Sequence, residues 1–84
     1  MSTDLSLIEA SLWRLLEEIA PILSADESAH VSLLLDAGEY GVAVEAICDL
    51  LRDAGKTLPP ETANKLRTIG ASMGMDASTF ESLE

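Results

Sequence analysis

Aromatic residues are scarce in this chain: Trp13, Tyr40 and Phe80 are the only ones. With so little ring area to bury, any core must be built from aliphatic side chains. Cysteine is scarcer still. Cys48 is alone, so an internal disulfide is excluded and a reducing compartment is the expected setting. His30 is the single histidine. A zinc site draws on a cluster of cysteine and histidine ligands, which is not available here. Basic residues are also few, five against fifteen acids, and the formal net charge is −10. Such a surface repels phosphate backbones and anionic lipid, so direct nucleic-acid or membrane binding is not expected. It attracts basic partners and speeds their association. No apolar run approaches the roughly 18 residues that a membrane-spanning helix needs. The opening Met1-Ser-Thr-Asp4 has no basic segment followed by an apolar stretch. No secretory signal is therefore expected, and the chain is read as cytoplasmic.

Hydrophobic residues make up 48% of the chain and charged residues 24%. A disordered chain would be poorer in apolar side chains. Eighty-four residues suffice for one domain, which buries roughly 60–65% of its unfolded surface. Abundant Ala, Leu and Glu favour helix.

Four helices follow from periodicity. The first is expected from about Asp4 to Ala20, with Leu5, Ile8, Leu12, Leu15, Leu16 and Ile19 on one face. Thr3 or Asp4 can cap it, and Pro21 ends it. Ser24-Ala-Asp-Glu27 fits a capping box for a second helix reaching about Asp36, with Val31, Leu34 and Leu35 inward. Gly38 suits the left-handed residue that stops it. The third helix runs from near Glu39 to about Ala54. Tyr40, Ala43, Val44, Ile47, Cys48, Leu50, Leu51 and Ala54 fill one arc, and Glu45, Asp49, Arg52 and Asp53 the other. Lys56-Thr-Leu-Pro-Pro60 is a stiff connector. Pro60 then opens a fourth helix, with Ala63, Leu66, Ile69 and Met73 as its stripe and Gly74 at its end. A last short turn from Asp76 brings Phe80 and Leu83 to the core. The expected fold is all-α, a compact four- to five-helix single domain over residues 1–84, without strands.

The chain shows no constellation for catalysis. Cys48 lies on the apolar face of its helix, where a thiol is inert. His30, near a helix start, is read as a surface residue. Asp36-Ala-Gly-Glu-Tyr-Gly41 has the beginnings of a calcium loop. Its third and fifth positions are Gly38 and Tyr40, however, and its twelfth is Ile47 instead of a carboxylate. Gly70 and Gly74 form no phosphate loop, because no strand precedes them and no lysine follows in register. The chain is therefore read as a non-enzyme with no cofactor, no metal and no small-molecule substrate.

Glu45, Asp49 and Asp53 recur at i, i+4 and i+8 on the polar face of the third helix. Like charges at that spacing cost roughly 0.2–0.5 kcal/mol per pair in an isolated helix. The stripe is either a solvated face of an acidic protein or a docking strip for a basic partner, with Asp36 and Glu39 extending it. Trp13 is read as a core or boundary residue more readily than as an interface anchor. Gly41 is expected to let the third helix lie close to a neighbour. Leu7 and Leu33 lie off their helices' main stripes, as second-face core contacts or as pieces of an apolar contact patch.

The segment from Leu35 to Leu51, and within it Gly38, Glu39, Tyr40, Gly41, Ala43 and Glu45, resembles the MafI-type immunity proteins of polymorphic toxin and contact-dependent growth inhibition (CdiI-like) systems. The likeness extends over roughly residues 30–84. It implies a small bacterial cytoplasmic protein that binds and neutralises a cognate toxin C-terminal domain as a heterodimer, the toxin often being a nuclease. A nuclease is basic where it grips a phosphate backbone, so an inhibitor of net charge −10 suits it electrostatically. The residues read as toxin-binding come from the acidic stripe and the turn before it: Asp36, Glu39, Glu45, Asp49 and Asp53. Two other readings remain. An acidic helical adaptor would grip an amphipathic peptide in a groove. An acyl carrier protein needs Asp-Ser-Leu at the start of its second helix, and neither Ser24 nor Ser78 sits in that tripeptide.

Overall fold

The structure, a computed structural model, describes residues 5–81 and 83. Helix α1 spans Leu5–Ile19, α2 Ala25–Asp36, α3 Tyr40–Ala54 and α4 Pro60–Ser72, and a 3₁₀ turn follows at Ala77–Phe80. The chain is thus all-α, with no strand among the described residues. The cap expected from Thr3 or Asp4, and the place of the Leu5 side chain, lie outside the described residues.

Local chemistry sets the helix ends. At α2 both halves of the capping box are present. The Ser24 hydroxyl oxygen accepts from the Glu27 N–H at 3.1 Å, and Glu27 Oε1 accepts from the Ser24 N–H at 2.7 Å. A cap of this kind contributes about 1 kcal/mol. The other end of α2 closes through the Glu39 N–H, which donates to the Leu34 carbonyl at 2.9 Å. Gly38 permits that closure with φ 76°, a conformation that a side chain would strain. Pro60 occupies the first turn of α4, where its missing N–H leaves no hydrogen bond unmade. The Asp76 side chain caps the 3₁₀ turn by accepting from the Ser78 N–H at 2.9 Å. That bond holds the Asp76 carboxyl below its usual pKa.

The helices share one aliphatic core. Helix α1 packs against α2, α3 and α4, and α3 against the other three helices and the 3₁₀ turn. Helices α1 and α3 therefore form the middle, with α2 and α4 on the flanks. Ile8, Leu12, Leu15, Leu16 and Ile19 of α1 are buried against Val31 and Leu35 of α2. Ala43, Val44, Ile47, Cys48 and Leu51 come from α3, and Ala63 and Leu66 from α4. The Cα radius of gyration is 11.8 Å, which matches the roughly 12 Å expected of a well-packed chain of this length.

Several expectations change. Ala54, placed in the buried arc of α3, is exposed because the helix ends there. The second-face reading of Leu7 and Leu33 fails: they are 66% and 67% exposed. Trp13 is half-buried and packs against the core, in the boundary role. The stiff connector does more than connect, because Leu58 is buried and its N–H donates to the Leu83 carbonyl at 2.6 Å. Leu23, between α1 and α2, also joins the core.

The glycine reading changes most. A Cβ on Gly41 would meet nothing within 4 Å, so no neighbouring helix needs that position bare. The close approach is at Gly70 instead. A Cβ there would lie 2.0 Å from Phe80 Cζ and 2.6 Å from Cε2. The Phe80 ring therefore occupies the space that any side chain at position 70 would take. Through this contact the 3₁₀ turn packs on α4.

Candidate functional site

Helix α3 presents its acids outward. Glu45, Asp49 and Asp53 are all exposed, as are Asp36 at the end of α2 and Glu39 at the cap of α3. Each turn of helix rises 5.4 Å, so Glu45 to Asp53 spans about 12 Å along the axis. Asp36 and Glu39 flank the turn that joins the two helices. The structure therefore brings Glu45, Asp49 and Asp53 onto one face, with Asp36 and Glu39 at the end where α3 begins.

One cation lies among them. Arg52 Nη1 donates to Asp49 Oδ1 at 3.2 Å, with side chains 52% and 66% exposed. A pair so open to water contributes only a few tenths of a kcal/mol. A second ion pair, Lys65 Nζ to Glu18 Oε1 at 2.7 Å, bridges α4 and α1. Lys56 Nζ donates to the Ile22 carbonyl and so ties the end of α3 to the loop before α2.

Val42, which sequence reasoning left out, sits in the middle of this acidic face. It is 48% exposed, and Glu39 and Glu45 lie three residues to either side, the spacing of helical neighbours. The signal was present in the sequence, since Val42 falls opposite the buried arc of α3. Tyr40, by contrast, turns inward. Its hydroxyl donates to Glu9 Oε2 at 2.8 Å, linking α3 to α1. That hydrogen bond is the main reason the Tyr40 pKa is raised.

Cys48 lies beneath the stripe. Burial raises its thiol pKa to about 11. Arg52 acts against this, and the carboxylates of Asp49 and Glu45 add to it. The thiolate is the reactive form. Native Cys48 is therefore expected to alkylate with iodoacetamide at neutral pH at least about tenfold slower than the same chain in denaturant, since each pKa unit is a tenfold change in thiolate. Equal rates in both conditions would show the thiol to be accessible. The sign of the pH dependence follows. The unfolded thiol ionises near 9 and the folded one at about 11. The contribution is complete below pH 9 and is lost as pH rises through 11.

A second feature involves the α-helices nearest the chain's two ends, α1 and α4. Between α1 and α4 runs an open groove of about 480 Å³. Leu15 and Ile69 supply its apolar surface, and Arg14, Glu18, Glu61 and Lys65 its charges. Its walls carry no histidine or cysteine. Sequence reasoning did not foresee it, because its two walls are some fifty residues apart in the chain. Among the described residues, no group of three His, Cys, Asp or Glu side chains is placed to hold a metal ion. No buried polar side-chain atom among them lacks a partner. No helix of the described residues is long and apolar enough to cross a membrane.

No protein-family model, no curated protein and no solved structure matches this chain.

Proposed function

We propose that this protein is a stoichiometric inhibitor of the MafI immunity type, binding a basic toxin nuclease domain through the outer face of α3. The observation that carries the reading is the exposed row Glu45, Asp49 and Asp53, joined by Asp36 and Glu39, with Arg52 as the cation paired within it. Folding does not require these carboxylates, because they lie opposite the buried arc. Their mutual repulsion is relieved by a cationic partner, and their field steers such a partner in. The proposed mechanism is occlusion. A groove that holds nucleic acid by lysine and arginine is covered by a surface that offers carboxylates in place of phosphates. No covalent chemistry, cofactor or metal takes part, and the proposed setting is the bacterial cytoplasm.

Co-expression tests this directly. The reading requires that a toxin domain be encoded beside this gene, that it arrest growth when expressed alone and that this chain neutralise it. An unrelated immunity protein of similar net charge should fail, because specificity needs matched contacts and penalties against wrong partners as well as attraction. Equal rescue by any acidic helical protein would sink the one-partner reading.

A further inference from the structure

We propose that Leu33 and Val42, on the two helices that meet at the α2–α3 turn, are the apolar anchors of this docking face, and that they seat on an apolar spot within a basic protein surface. The proposal rests on the function just argued and adds the contacts that hold the complex once charge has brought it together.

The placement is specific. Leu33 lies one helical turn before the Ala37–Glu39 turn and Val42 one turn after it. They are 67% and 48% exposed. Each stands opposite the buried residues of its own helix, Val31 and Leu35 on α2, and Ile47 and Leu51 on α3. Acids neighbour both at helical spacing: Asp36 three residues after Leu33, with His30 three before it, and Glu39 and Glu45 three residues either side of Val42. Exposed apolar residues with charged neighbours are the makeup of a protein interface, where the apolar contacts supply the lasting hold. The acidic neighbours here carry one sign, which selects a basic partner. Leu7 is as exposed, and its helical neighbours among the described residues, Ala10 and Ser11, are uncharged.

Gly41 supplies an independent observation. It is helical, its φ is not positive, and a Cβ there would touch nothing. The fold has no use for a glycine at this position, which alanine would fill with better helix propensity. Its bare backbone lies beside Val42, one turn before Glu45, where a partner can approach closely.

The test measures binding to the adjacent gene's toxin domain, inactivated at its catalytic residue, by surface-immobilised kinetics at low and high salt. The double variant Leu33→Ser/Val42→Ser should keep its circular dichroism spectrum and melting temperature. It should bind at least about tenfold more weakly through faster dissociation, and equally so at both salt concentrations, since apolar contacts are not screened. Should the double variant lose its fold, Gly41→Ala decides in its place. Its melting temperature should not fall and its affinity should. Wild-type binding with an unweakened variant overturns the anchors and leaves the inhibitor reading standing. A wild-type chain that does not bind the toxin domain overturns both. A wild-type dimer that the double variant converts to monomer assigns the face to a second copy of this chain and overturns the proposal.

Discussion

Gly70→Ala is expected to destabilise the wild-type domain by about 2–4 kcal/mol, yet to be neutral or stabilising once Phe80 is alanine. Two effects of opposite sign meet at this position. A glycine inside a helix costs roughly 0.5–1 kcal/mol relative to alanine, so the substitution on its own favours folding. Against it stands the Phe80 ring. The new methyl would lie 2.0, 2.6 and 3.0 Å from three ring carbons. The ring has only two torsions and is 4% exposed, packed between α3, α4 and the core. It cannot swing aside within the core and must be expelled. Expelling it forfeits most of what a buried phenylalanine contributes, about 3–5 kcal/mol in a Phe→Ala replacement. It also loosens Leu83, whose carbonyl accepts the Leu58 N–H. The clash therefore outweighs helix propensity. In the Phe80→Ala background the ring is gone, the methyl enters open space, and only the propensity term survives. Chemical denaturation of the four proteins in the cycle measures this. The coupling energy should exceed about 2 kcal/mol, large for a contacting pair. A wild-type-like midpoint for Gly70→Ala alone would mean that the ring is not held where the structure places it. For a domain whose whole stability is on the order of 4–12 kcal/mol, the single variant should also melt much earlier.

The second large effect concerns binding. Replacing Glu45, Asp49 and Asp53 together with glutamine should weaken association with a basic toxin domain roughly 10–100-fold at low salt, mainly by slowing it. Long-range steering raises association rates by about 10–1,000-fold when a partner's charge is opposite. Three charges from one 12 Å row are a large share of the field that a docking partner meets there. The loss should shrink at high salt, because the Debye length falls to about 3 Å at 1 M and screening removes what the mutation removes. The fold should be unchanged or slightly more stable. Like-charge repulsion disappears, and only the exposed Arg52–Asp49 pair at 3.2 Å is lost. The signature thus differs from that of the apolar pair: salt-dependent and in the association rate for the carboxylates, salt-independent and in the dissociation rate for Leu33 and Val42. Unchanged binding at low salt would assign the acidic row to solvent. It would move the interface elsewhere, with the α1–α4 groove around Arg14 and Lys65 as the next candidate.

The helices and most of their buried faces are legible in the order of the residues. Helix content is a local property. The spacing of Leu12, Leu15, Leu16 and Ile19, or of Val44, Ile47, Cys48 and Leu51, is visible within one short segment, and those residues are buried. The Ser24–Glu27 box and the Gly38 stop are likewise readable within a few residues, and both are formed. The outward direction of Glu45, Asp49 and Asp53 follows from the same periodicity, because a residue opposite a buried arc has nowhere to go but solvent.

Tertiary structure alone decided what depends on distant partners. Periodicity says which side of a helix is apolar but not how wide a strip the neighbouring helices will cover. For that reason Leu7 and Leu33, off the main stripes of their helices, could have met a second neighbour, and were assigned to solvent only once the packing was known. Gly41 and Gly70 look alike in sequence, each a glycine in a helix. One faces open space and the other faces the Phe80 ring, ten residues onward and across a turn. The Leu58 N–H finds the Leu83 carbonyl, and the walls of the α1–α4 groove come from opposite ends of the chain. Each is a meeting of segments whose positions are set by the collective burial of the core, and no short window of sequence records such a meeting.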